Sequence, residues 1–324
     1  MAVGLAYAGA VVGAGFASGQ EIYQFFSRHG AVGTWGILVA GGLFFALGRL
    51  ALKAGAEGRD TLPRLLASLY RPPAARWLDH ASSALLAAGL VVVAAAGGSV
   101  LHQLVGLPVP LLSLATLLSV VAVAGRGARG VLSANVVLVP LLLAVTVVVA
   151  LGSPRTWVGT PTSGWWLSAA LYVSYNLFTG LVVLLALGAG LPHGAGATRA
   201  AALGAGLLTG MALAIHTALL GAPAGRAAEL PLLVLAQRLA GPWWAADALA
   251  MYGALFTTGV AQAFGLAVRH GRPVLRWAWM LWPLSWVGFA GWVRWGYPLM
   301  GLAALAYVRP LLAQSRRAGP QHPR

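Results

Sequence analysis

The chain has 324 residues, 59% of them hydrophobic and only 8% charged, with a formal net charge of +15. A soluble domain carries about 25% charged residues, so there is too little polar side chain to coat a water-facing surface, and a soluble globular protein is excluded. The basic excess sits in short segments between apolar stretches, which argues against a nucleic-acid footprint. The absence of cysteine excludes disulfides, thiolate metal sites and cysteine nucleophiles.

Apolar stretches of about 20 residues, each long enough to cross a hydrocarbon layer, recur down the chain. They predict ten spans, at 2–27, 31–54, 77–101, 109–125, 129–152, 163–190, 197–221, 243–269, 274–292 and 294–313. No positive segment precedes residues 2–17, so no cleavable signal peptide is expected. The chain is expected to begin inside, or just before, its first span.

That first span contains AVVGAGFASGQEIYQFF, residues 10–26. Its helix is expected to break over Gly13, Ala14, Gly15, Phe16, Ala17, Ser18 and Gly19, followed directly by Gln20 and Glu21. Unwound backbone inside a bilayer leaves N–H and C=O groups that protein, water or a ligand must satisfy. Half-helix ends then offer N–H groups to a carboxylate and carbonyls to a cation. A small-residue packing face would also use Gly15 and Gly19, but the adjoining glutamine and glutamate favour a binding surface. Glu21 is the only acid in the first two spans. An intramembrane carboxylate is a functional hypothesis by default, here a proton-coupling or gating group; the structural alternative is a hydrogen bond to Gln103, Tyr175 or free backbone.

At the start of the third span Asp79 and His80 mark the membrane edge, as an inner gate or as a pair with Arg76. The sixth span reads LYVSYNLFTGLVVLL. Its polar, glycine-containing centre predicts a second break, with Tyr172, Tyr175, Asn176, Phe178 and Thr179 facing a solute. His216 in the seventh span reads as a hydrogen-bonding group within the bundle. Residues 227–239 are amphipathic and too short to cross, and read as a helix lying along a loop. Asp247 opens the eighth span, where an acid complements the helix dipole. Further along that span Thr257 and Thr258 are followed by Gln262; buried threonines often bond their own preceding turn instead of a ligand. Trp165, Trp166, Trp243 and Trp244 suit an interfacial belt.

With the N-terminus in the cytoplasm, sixteen of the 21 basic residues fall in cytoplasmic segments, which supports both the span count and the direction. Divided five and five, the spans give a first unit at 1–152, an outer connecting loop at 153–162, a second unit at 163–313 and a cytoplasmic tail at 314–324. Five is odd, so the second unit starts on the opposite face. Two similar units are then inverted copies with interrupted helices at matching positions, a pointer to a transporter binding site.

VVGAGFASGQEIYQFF, followed by about ten spans, resembles the YkvI-type bacterial membrane proteins, which belong with the amino acid–polyamine–organocation superfamily and its LeuT-like fold. The resemblance implies an all-α polytopic protein with a 5+5 inverted repeat and discontinuous first and sixth helices, placed in a bacterial inner membrane with both termini cytoplasmic. It also implies a candidate sodium site, with carbonyls of Gly9 and Val12 and hydroxyls of Thr257 and Thr258. The expected function is an ion-coupled secondary transporter. It would move an amino acid or related small solute by alternating access, with sodium or a proton as coupling ion and no other cofactor. The alternative is a membrane ligand sensor of the germinant-receptor type. An enzyme is not expected, because Ser18 has no histidine nearby in sequence and acids are scarce. The partners expected are the solute and the bilayer, and no nucleic acid.

Overall fold

The computed structural model describes residues 2–126, 129–153, 162–192, 195–222, 228–239 and 241–317, and every described regular element is helical. The first rod is made of three pieces, α1 (Ala2–Val11), α2 (Ala14–Ala17) and α3 (Gln20–Phe25). A 3-10 turn, Ser27–Val32, leads into α4 (Gly33–Ala56). Then come α5 (Leu62–Leu69), α6 (Pro72–Val105), α7 (Val109–Arg126) and α8 (Arg129–Gly152). The second half of the chain gives α9 (Trp165–Ala189), α10 (Ala195–Gly221), the short α11 (Pro231–Ala236) and α12 (Trp243–His270). A 3-10 stretch, Arg272–Val287, reverses at Gly288 into the turn Phe289–Gly291, a π turn Trp292–Gly296 and α13 (Tyr297–Arg317). The loop expected at 153–162 and most of the tail expected at 314–324 lie outside the described residues.

Six of the described helical stretches are long and apolar enough to cross a membrane: Ser27–Ala56, α6, α7, α9, α10 and α12. The chain is a helical membrane protein. Two expectations need correction. Residues 272–287 wind as a 3-10 helix, carrying Pro283 within it, and end earlier than the span expected to reach 292. Each 3-10 residue advances about 2.0 Å rather than 1.5 Å, so fewer residues cover a given depth. The helix expected to lie along a loop at 227–239 is α11 (Pro231–Ala236), and it lies inside the molecule. Leu232, Leu233, Leu235 and Ala236 are all buried, because α11 is tucked into the end of the bundle.

Helices meet where small residues allow it, as expected where lipid supplies no hydrophobic drive between them. α4 and α9 run parallel, since Gly36 lies near the carbonyl of Trp165 and Gly55 near that of Leu185. At the far end of this pair the backbones nearly touch. A Cβ on Gly55 would stand 2.1 Å from Leu185 O, and one on Gly188 would stand 2.2 Å from Leu52 O. Neither carbonyl can swing aside without breaking its own helix. Gly188→Ala is therefore expected to destabilise the protein by about 1–3 kcal/mol, the usual cost of overpacking, read as a lower melting temperature in detergent. Gly42→Ala, where a Cβ meets nothing within 4 Å, is the matched control.

α1 and α10 are also parallel neighbours: Gly4 faces Leu203, and Tyr7 packs on Gly204 while donating a 2.8 Å hydrogen bond to Phe44 O of α4. α6 and α12 are antiparallel, with Gly89 facing Gln262 and Val93 facing Gly259. α1, α2 and α3 thus run through the middle of the molecule, between α9 and α10 on one side and α12 on the other.

Candidate binding and coupling site

The first rod breaks twice. α1 ends at Val11, and the backbone ladder passes from the Val12 N–H on Ala8 O to the Ala17 N–H on Gly13 O. Among the described residues no backbone bond joins Gly13 to Gly9, so the carbonyl end of α1, where the helix dipole is negative, is left at the gap. The second break is at Ser18–Gly19. Gly19 has φ +78°, a left-handed conformation that glycine adopts without the penalty of a Cβ. Ser18 Oγ donates to Gly15 O at 3.1 Å and accepts from the Gln20 N–H at 3.3 Å. The Ser18 carbonyl is satisfied from far along the chain, by the Leu232 N–H of α11 at 2.9 Å. The expected break at 13–19 is present at its two ends, while Ala14–Ala17 between them keep a helical turn, and α11 is the element that makes the second end affordable in a bilayer.

Glu21 is 1% exposed. Its side chain folds back onto the α2 backbone, so that a Cβ on Gly15 would stand 2.2 Å from Oε1, 2.5 Å from Cγ and 2.7 Å from Cδ. Asn176 of α9 lies beside it, with Tyr172, Tyr175 and Tyr297 nearby. Tyr175 and Tyr297 stack with ring centroids 4.2 Å apart. Glu21 Oε2, Gln20 Oε1 and Tyr172 Oη are buried with no hydrogen-bond partner. Of the partners weighed from sequence, Gln103 is exposed and does not meet it, and the side chain lies against the α2 backbone at Gly15.

The second expected break is absent. α9 is one continuous helix from Trp165 to Ala189. Its polar residues satisfy themselves on their own preceding turn: Ser174 Oγ donates to Ala170 O, Asn176 Nδ2 to Tyr172 O and Thr179 Oγ1 to Asn176 O. This back-bonding leaves the ladder intact, so polarity in mid-span did not require unwinding. Gly180 instead lets α1 approach, with Val11 3.6 Å from where its Cβ would be.

A continuous α9 also separates two residues expected to share a solute. Phe178 packs against Tyr307 of α13, with centroids 4.8 Å apart. Phe16 points the other way, into a cavity of about 10 Å³ shared with Phe26, Phe44 and Tyr172, room for one water at most. Asn176, Tyr172 and Thr179 lie on the face of α9 turned toward the first rod, by the 100° step of a helix. Gly13, Gly15, Phe16, Ala17, Ser18, Gly19, Gln20, Glu21 and Asn176 come together; Phe178 does not join them.

On α12, Thr258 reaches the first gap: a Cβ on Gly13 would lie 4.0 Å from its Cγ2. Thr257 and Thr258 both donate to Ala254 O at 2.9 Å. Gln262, a turn further, lies against Gly89 with Oε1 unpartnered. Asp79 pairs with Arg269 of α12 rather than with Arg76, because α6 and α12 are antiparallel and bring those ends together; His80 is exposed. His216 does bond within the bundle, Nδ1 to Ser27 Oγ at 2.8 Å. Asp247 does not serve the dipole of α12. The helix begins at Trp243, which puts Asp247 beyond the first turn, where that interaction has faded.

Glu229 was missed from sequence, since an acid in a loop carries no signal of its own. Its Oε2 accepts from Ser99 Oγ of α6 at 3.0 Å, and its Oε1 accepts from the N–H groups of Phe289 and Ala290 at 2.8 and 3.2 Å. One carboxylate thus ties α11 to α6 and to the start of the last rod, beside the break. Hydrogen bonds to a charged group contribute about 1.5–3 kcal/mol, so Glu229→Ala is expected to raise opening of this end ten- to a hundredfold. The chain has no cysteine, so a single Leu232→Cys reports it: in detergent its reaction with maleimide is slow with Glu229 in place and about tenfold faster or more without it. Equal rates would show that Glu229 holds nothing shut.

No family model matches the chain. It is similar to the uncharacterized membrane protein YkvI of Bacillus subtilis (strain 168), 27% identical over 325 residues, 95% of this chain and 94% of that one. It is also similar to the uncharacterized protein YyaD of the same strain, 26% identical over 328 residues, 94% of this chain and 93% of that one. Among solved structures, an Eremococcus coleocola manganese transporter, crystallised with an aromatic bis-isothiourea substituted compound, covers 98% of this chain and 71% of its own at 16% identity and a TM-score of 0.47. At that score the likeness carries no argument.

Proposed function

We propose that the protein is an ion-coupled secondary transporter that moves a small solute, an amino acid or a relative of one, past the interruption in its first rod. The observation that carries the reading is Glu21: a fully buried carboxyl folded onto Gly15, in the helical turn between the two breaks of the first rod, beside Asn176 and three tyrosines. Unpaired backbone and an acid in mid-bilayer are costly and mark a pathway by default. The small volume beside Phe16 fits a closed arrangement, with solute entry requiring the helices to part.

The pairing of helices supports two inverted units, 1–152 and 163–313. First rod with α10, and α9 with α4, are matching neighbour pairs under an exchange of the halves, and each pair is parallel. The units differ in their leading helices, since only the first is broken. In this reading ten segments cross the bilayer of a bacterial inner membrane, with both termini cytoplasmic.

Glu21 takes the coupling proton. A second coupling ion, sodium, is favoured by the approach of Thr258 to Gly13 and by the carbonyl end of α1 at Gly9 and Val12. Thr258 Oγ1 donates to Ala254 O and, as a hydroxyl oxygen, suits a hard cation.

The test is a thermal-shift screen of the purified protein against amino acids, in sodium or potassium at two pH values. A ligand that binds the native state raises apparent stability, by about 2.7 kcal/mol at a hundredfold excess over Kd. Stabilisation by a solute that sodium enhances in the wild type, and not in Thr257→Ala with Thr258→Ala, identifies the sodium site. Stabilisation that follows pH and ignores sodium leaves Glu21 as the coupling group. No stabilisation by any amino acid removes that substrate class.

A further inference from the structure

Asp247 is fully buried, and neither of its carboxyl oxygens has a hydrogen-bond partner. Of the six acids in the chain, Asp247 and Glu21 are the two that are buried, and among the described residues neither is in an ion pair. Asp247 lies about 16 Å along α12 from Thr258, at 1.5 Å per residue. The 100° step places Asp247, Thr258 and Gln262 within about 60° of one another on the helix. That face meets the first rod at Gly13 and α6 at Gly89. Gln262 Oε1 is the other unpartnered oxygen along it.

Among the described residues, no element around Asp247 brings a charge that offsets a negative one. α2 and α11 carry no titratable residue, and α8 carries none between Pro140 and Gly152. On α7 the sole such group is Arg126, in its last turn. On α6 they are Arg76, Asp79 and His80 in the early turns and His102 in the last. Asp79 is bound to Arg269, and His102 bonds Leu107 O. The 3-10 stretch carries Arg272 and Arg276, which follow the far end of α12. Flanking α11, Glu229 is held by Ser99 and the two amides, and Arg238 is exposed. Removing an ionised carboxylate from water costs several kcal/mol even after relaxation, and a buried acid escapes that cost by keeping its proton.

We propose that Asp247 is a second proton site, occupied in this closed arrangement and emptied when the gap between α12 and the first rod admits water. The proton is taken from water as an O–H bond on the carboxyl and returned to water as that bond breaks, leaving a hydrated carboxylate. Its role in coupling rests on the transport reading; its occupancy does not.

The experiment uses the full chain labelled with ¹³C at the aspartate carboxyl. The three aspartates are Asp60, Asp79 and Asp247. Infrared spectra at neutral pH are expected to show one label-shifted band of a protonated carboxyl, retained when Asp60→Asn and Asp79→Asn leave Asp247 as the only aspartate. Absence of the band from that folded double variant overturns the proposal, and the measurement needs no functioning transport. In proteoliposomes, Asp247→Asn is expected to lower the proton-to-solute ratio by one. An unchanged ratio overturns the coupling role and leaves occupancy to the band.

Discussion

Gly15→Ala is expected to cut solute uptake by about tenfold or more, and Gly15→Leu to abolish it, with both proteins still in the membrane. The added methyl would stand 2.2 Å from Glu21 Oε1 and under 3 Å from its Cγ and Cδ as well. A clash with the tip alone could be relieved by rotating the carboxyl. A clash that includes Cγ forces the whole Glu21 side chain into another rotamer and off Asn176. Overpacking of this kind costs about 1–3 kcal/mol, and about 1.4 kcal/mol at the coupling group is already a tenfold loss in rate. The origin of the loss is checked by a double-mutant cycle in melting temperature. Gly15→Ala destabilises the wild type and costs little further once Glu21→Ala has removed the opposing atoms, the non-additivity expected of groups in contact. Wild-type uptake by Gly15→Ala would take the break out of the mechanism.

Glu21→Gln carries the second large effect. Glutamine has the shape of the neutral acid and retains a hydrogen-bonding edge for Asn176, so folding and exchange of solute across the membrane are expected to persist. It cannot gain or lose a proton. Accumulation driven by an imposed pH gradient is expected to fall to what the Asp247 proton alone can drive, and the pH dependence of exchange to flatten. A ligand shifts a conformational equilibrium only through its differential affinity for the two arrangements, and the proton loses that leverage when its acceptor is gone. Paired measurements of exchange and of gradient-driven accumulation in proteoliposomes separate the two. Full accumulation by the Glu21→Gln variant would end the role of Glu21 as the coupling group, and loss of exchange as well would point to a structural acid.

The composition and the length of the apolar stretches determined that this chain is a helical membrane protein, since 8% charged residues cannot coat a soluble surface. The glycines of GAGFASG determined where the first rod unwinds, because a residue at φ +78° without strain must be a glycine, here Gly19. What local sequence could not reveal was which polar groups find partners. The sixth span and the first break look equally polar on paper. In the fold Ser174, Asn176 and Thr179 bond their own turn and α9 stays whole, whereas Ser18 O finds the Leu232 N–H of a distant helix, and the rod can part there. The same long-range decision separated Glu229, which reads as an ordinary loop acid and proves to be a clasp, from Asp247, which reads as a complement to the helix dipole and is buried without a hydrogen-bond partner. Helix and apolar span are local properties that period and composition carry. The pairing of a buried polar atom depends on which distant backbone is brought beside it, and only the packed tertiary structure decides that.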